Sequence, residues 1–173
     1  MKRLFWFVTL VVLAVAPCAA QAQPTAWSPS MVGVGPHGYD WMIGRWSCTN
    51  SMPSPMGGPS TSMSTVTASN GGGVFFRNTG KNFDNSYYAV YVSKTKAWLS
   101  PFIYGDGGYG SESTTQTGKK IVWTGSVFDP ASGKTMRVRD TDVMLSSTKY
   151  TDLGEYQSGG IWKAQYNLTC TKP

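Results

Sequence analysis

Few residues in this chain can do chemistry: a single histidine, nine carboxylates, three cysteines and eight methionines. Acid–base or nucleophilic catalysis by histidine needs an imidazole held in place by a third group. His37 instead sits in Gly35-Pro36-His37-Gly38, a poor mount for exact positioning. Asp40 is close in sequence, but no nucleophile motif accompanies it. Glycoside hydrolysis would need two positioned carboxyl groups. Glu112, Glu155, Asp140 and Asp142 are present, yet no motif pairs them. The expectation is a protein without a catalytic site.

Two further groups bear on chemistry. Asp140 shares strand parity with Met136 and Val138, so it could face inward opposite Arg137 and Arg139. A buried carboxylate needs a partner or a raised pKa, and the plainer expectation is that a bulge turns it outward. Met52, Met56 and Met63 lie in SMPSPMGGPSTSM, preceded by Met31 and His37. Thioethers in an oxidising compartment suit Cu(I), but the methionines are sparse. The plainer reading is a Pro/Ser/Gly loop that happens to contain them, so no metal and no cofactor is expected.

The compartment follows from the start of the chain. Lys2 and Arg3 precede an apolar run from Leu4 to Ala16, and Ala20-Gln21-Ala22 offers a small-x-small cleavage step. This layout predicts a secretory signal over 1–22 and a mature protein that is periplasmic or secreted. Pro17 before Cys18 argues against a lipidated cysteine. No later run approaches the roughly 20 apolar residues of a membrane span.

Losing Lys2 and Arg3 leaves 13 basic against 9 acidic residues. The basic residues are scattered, and no nucleic-acid-binding module accompanies them, so nucleic acid is not an expected partner. A monomer is expected.

Cys48 and Cys170 remain after the signal, and an even pair in an exported chain reads as a disulfide. Two free thiols or a metal pair are the alternatives, but zinc would need further ligands. The pair would close a loop of 122 residues, worth on the order of 4 to 5 kcal/mol in the chain-entropy model.

The elements that must position these residues are strands. Gly, Thr, Val, Tyr and Trp are plentiful, and only two glutamates occur, a profile that favours sheet over helix. Residues 23–38 form a Pro/Gly/Ser arm, and 39–173 a single domain. Alternating runs bounded by turn residues predict strands at 44–50, 61–69, 73–80, 86–93, 96–104, 109–117, 119–128, 134–144, 147–156 and 161–171. Asp129-Pro130-Ala131-Ser132-Gly133 is the clearest turn between them.

Ten sequential strands on short connections predict an all-β, antiparallel up-and-down barrel, because closure removes both edges. Parity agrees. Trp46 and Cys48 share one face of the first run, and Trp162, Ala164, Tyr166, Leu168 and Cys170 one face of the last. A disulfide needs Cα atoms within about 7 Å, so the first and last strands must be neighbours.

Gly44-Arg45-Trp46 at the mouth of the first strand resembles the Gly-x-Trp signature of the lipocalins and wider calycin barrels. The longer pattern is Asp40-Trp41-x-x-Gly44-x-Trp46-x-Cys48, with a terminal strand carrying Trp162 and Cys170. It is similar to a bacterial exported, calycin-like family of unassigned function. The resemblance implies that Trp46 plugs the floor of the barrel. The Thr-Asp-Tyr motif of classical lipocalins is absent, and ten strands are closer to fatty-acid-binding or nitrobindin-type barrels. Nitrobindins bind haem through a histidine late in the barrel, where this chain has none.

A barrel of this size either fills with side chains or holds one small ligand. Phe76, Tyr87, Tyr91, Trp98, Phe102, Tyr104, Trp123 and Trp162 alternate on their strands, and an aromatic wall suits an apolar or amphipathic molecule. Tyr91, Trp98, Phe102 and Trp123 are the expected wall. Arg139, or alternatively Arg77 or Arg137, is the expected anchor for a ligand carboxylate. The expected function is non-catalytic binding of such a molecule. The alternatives are a fully packed structural or interaction protein of the cell envelope, or weak Cu(I) handling by the Met-containing loop.

Overall fold

A computed structural model describes residues 39–53, 58–69 and 72–173. The leader expected over 1–22, the arm expected over 23–38 with Met31 and His37, and Met56 lie outside the described residues.

The described chain is all-β. A single 3-10 turn, Asp40–Met42, leads into β1 (Gly44–Asn50), β2 (Thr61–Ala68), β3 (Val74–Gly80), β4 (Phe83–Val92) and β5 (Ala97–Tyr104). Then follow β6 (Tyr109–Thr114), β7 (Lys120–Asp129), β8 (Lys134–Ser146), β9 (Lys149–Ser158) and β10 (Ile161–Thr171). Each strand pairs antiparallel with its sequence neighbour, and β1 pairs with β10, so the sheet closes into a barrel. This is the architecture that the calycin resemblance implies.

The hairpins explain most of the adjusted boundaries. Asn82 takes a left-handed φ of 56°, which asparagine tolerates. Lys81-Asn82 therefore makes a two-residue turn, and Gly80 faces Phe83. β4 thus begins at Phe83, three residues before the expected start at 86, and Asp84 is a strand residue that pairs with Arg77 at 3.1 Å. In the β7–β8 turn, Gly133 adopts φ 65° and donates its N–H to the Asp129 carbonyl. The Asp129 carboxylate accepts from Ser132 Oγ and the Ala131 N–H.

The expected parity of the last strand holds only in part. Between Ala164 and Tyr166 the pairing of β10 with β9 slips by one residue. This β-bulge reverses the facing of everything before it. Tyr166, Leu168 and Cys170 face the interior, whereas Trp162 and Ala164 face outward.

Cys48 and Cys170 are directly opposed on β1 and β10, with Cα atoms 4.0 Å apart, and they are joined by a disulfide. The bond fastens the seam where the two ends of the meander meet. Both sulfurs lie in the larger of two buried clusters, with Met42, Trp46, Val66, Val74, Ala89, Trp98 and Ile121. That cluster fills the end of the barrel from which the odd-numbered strands start. The other end is ringed by the β3–β4, β5–β6 and β7–β8 hairpins.

Candidate functional site: an acidic lumen

The barrel is not filled from end to end. A cavity of about 490 Å³ runs from the hairpin-ringed end down to Tyr39 and Cys48. Its mouth is formed by Gly58, Pro59, Asn82, Phe83, Gly105 and Pro130. Phe76, Tyr87, Phe102, Tyr104 and Trp123 line it. Phe76 and Tyr87 stack with centroids 4.3 Å apart.

The polar lining is dominated by carboxyl groups. Glu112 on β6, Asp140 and Asp142 on β8 and Asp152 on β9 all face the lumen. Strand geometry sets the cluster: Asp140 and Asp142 are two residues apart and so share a face. Asp142 lies directly across from Asp152, and Asp140 across from Trp123. Asp140 is therefore inward, contrary to the expected outward turn. The only irregularity between β8 and β9 lies farther along, between Met144 and Ser146, and leaves its parity intact.

Two glycines make room for this cluster. Gly125 faces Glu112 across the β6–β7 pair, and a Cβ there would lie 2.7 Å from Glu112 Cα and 2.8 Å from its Cγ. Gly154 sits between Asp140 and Tyr166 in register, and a Cβ there would overlap the Tyr166 ring. The Tyr166 ring thus lies over Gly154, and its hydroxyl donates to the Asp140 carboxylate.

Burial governs how these groups titrate. It pushes Asp140 up to about 6, while hydrogen bonds from Tyr166 and Glu112 hold it back. Burial, and then repulsion from Asp140, push Asp142 up to about 7; the hydrogen bond from Trp123 Nε1, 3.2 Å away, opposes them. Glu112 is raised well above the usual carboxyl range by burial, by repulsion from Asp140 and by the proton it shares with Asp140. Asp152 is raised by burial and then by Asp142, Asp140 and Glu112. Glu112 Oε1 and Asp152 Oδ1 are buried without a hydrogen-bond partner. Among the described residues no three His, Cys, Asp or Glu groups are placed to hold a metal ion.

The residues expected at the site are divided by the fold. Phe102 and Trp123 line the cavity. Trp98 and Tyr91 pack together at the filled end, 5.6 Å between centroids, with Trp98 also against Tyr39. Trp46 is completely buried there, donating from Nε1 to the Met42 carbonyl at 2.6 Å and meeting Tyr150 edge-on at 4.8 Å. Arg139 is on the outside of β8. It pairs with Glu155 at 2.6 Å and covers the outward-turned Trp162 at 4.6 Å. Neither Arg139, Arg77 nor Arg137 lines the cavity.

Sequence reasoning named three of the four lumen carboxyls without joining them, and it did not single out Asp152. Two signals were available: the Asp140-Thr141-Asp142 alternation, and glycines in strand interiors, which mark close approach. Comparison with protein-family models and with curated proteins finds no match for this chain, so it is the geometry of the lumen that carries any functional reading.

Proposed function

We propose that this chain is a non-catalytic binding barrel, periplasmic or secreted, that holds one small amphipathic molecule in its lumen. The supporting observation is the cavity of about 490 Å³, open at one end and walled by aromatic rings with a few convergent polar groups. Sites of this size and lining bury most of a small ligand's surface. The Cys48–Cys170 bond suits an oxidising compartment.

The test uses the neutral fluorophore N-phenyl-1-naphthylamine. The wild-type barrel should bind one equivalent with a rise in emission. Val127→Trp, which fills the lumen beside Phe102, should abolish the rise while leaving the far-ultraviolet circular dichroism unchanged. No rise with wild type, or a rise indifferent to Val127→Trp, overturns the reading.

A second reading, an interaction protein of the cell envelope, draws on the outer face. Tyr88, Leu99, Ile103 and Tyr109 stand exposed on adjoining strands β4, β5 and β6. Such a protein would give the same negative result with the fluorophore.

A further inference from the structure

We propose that the lumen is built for an organic ammonium ion with an apolar or aromatic body, its charged end seated among Glu112, Asp140, Asp142 and Asp152. This rests on the lumen being a binding site, and it names the class of ligand.

Charge is distributed unevenly over the molecule. The chain is basic, with 15 Lys and Arg against 9 Asp and Glu. Yet seven of those nine acids line the cavity: the four lumen carboxyls, and Asp84, Asp106 and Asp129 at the mouth. Among the described residues no Lys, Arg or His lines it. The mouth acids are partly engaged, Asp84 with Arg77, Asp106 with the Gly108 N–H and Asp129 with its own turn. Among the described residues no cation pairs with the deep ones.

Two buried acceptors in the lumen are orphaned. Glu112 is only 6 % exposed, and its Oε1 accepts no hydrogen bond. Asp152 Oδ1, on a strand across the lumen, is likewise unpaired. An unmade hydrogen bond to a buried acceptor costs about 1–3 kcal/mol, more for a charged one, so such atoms mark where a donor belongs. An ammonium group carries three donors and a positive charge. An anionic ligand would be repelled, and a metal ion would need ligands that do not converge here.

The wall beside these acceptors is aromatic. Trp123, Tyr150 and the stacked Phe76–Tyr87 pair line the same cavity, and aromatic faces attract cations while burying an apolar body.

Binding should move a proton. The titratable groups facing the seat are the four carboxyls and the phenols Tyr39, Tyr87, Tyr104, Tyr150 and Tyr166. All five phenols are raised by burial and stay neutral. Without ligand, protons held by the carboxyls lessen the buried charge. An entering ammonium supplies that charge instead, a carboxyl O–H gives up its proton to solvent, and the site gains one cation as it loses one.

The experiment is calorimetric titration of wild type with phenethylamine, tryptamine, the neutral isostere 2-phenylethanol and the anion 3-phenylpropanoate at pH 6.5. At least one amine is expected to bind ten-fold or more tightly than the alcohol, with no detectable binding of the anion. Its apparent enthalpy should differ between phosphate and Tris buffers by the heat of the released proton. Asp152→Asn and Glu112→Gln, which keep the shapes and remove the charge, should each weaken the amine at least ten-fold and leave the alcohol unchanged. Equal binding of amine and alcohol overturns the inference while the lumen remains a binding site. Failure of every compound, together with failure of N-phenyl-1-naphthylamine, overturns both readings.

Discussion

Asp142 shows how an acidic side chain can be kept inside a barrel. It is 7 % exposed, faces Asp152 in register and accepts from Trp123 Nε1. Its pKa, raised from 3.8 to about 7, and that of Asp140, raised to about 6, both exceed the values of the unfolded chain. The folded state therefore holds protons that the unfolded state has lost. Stability from these groups is fully present below about pH 4 and is lost as pH rises through 6 and 7. The melting temperature of the unliganded protein should fall between pH 5 and pH 8. Asp142→Asn should flatten that slope and raise the pH 8 melting temperature by several degrees, at roughly 4 °C per kcal/mol. Scanning calorimetry across this range checks both. The general cost of burying a carboxylate argued for an outward Asp140. What the sequence could not display is that β6, β8 and β9 bring four carboxyls into one lumen, where shared protons make burial tolerable.

At the scale of the strand, the legible features were those written in turn residues. Asn82, the Asp129–Gly133 turn and Gly159-Gly160 divide runs whose alternation is plain, and the ten strands emerge in order with shifted ends. The bulge before Tyr166 was not legible, because the run from Trp162 to Cys170 alternates without a break and nothing local marks Gln165 as the extra residue. Its effect is large: it sends Trp162 outward to Arg139 and keeps Tyr166 inward over Gly154. Gly154→Val should force the Tyr166 ring off its strand and break its hydrogen bond to Asp140. The expected loss is about 1–3 kcal/mol, as for other overpacked cores, measured by urea unfolding. The Asp140 pKa should rise above its value of about 6, because a hydrogen bond that lowers it is gone; carboxyl carbon chemical shifts followed against pH would show it.

For the molecule as a whole, nine neighbour-to-neighbour strand pairings leave one pairing that joins distant parts of the chain, β1 with β10. The disulfide sits on that pairing. Replacing both Cys48 and Cys170 with Ser should preserve the barrel's circular dichroism but reduce its unfolding free energy by about 4 kcal/mol, most of it through the unfolded chain. Equilibrium urea titration of the two proteins reads the difference.

That bond also makes residues 48 to 170 a covalent ring. A ring cut once is still one piece. A single break at the exposed Ala131–Ser132 tip of the β7–β8 hairpin would leave every strand attached to the rest, and the two halves would part only after reduction. Where the chain begins and ends along this ring is then a matter of connectivity rather than of shape, so the same barrel can be written starting from any of its hairpins.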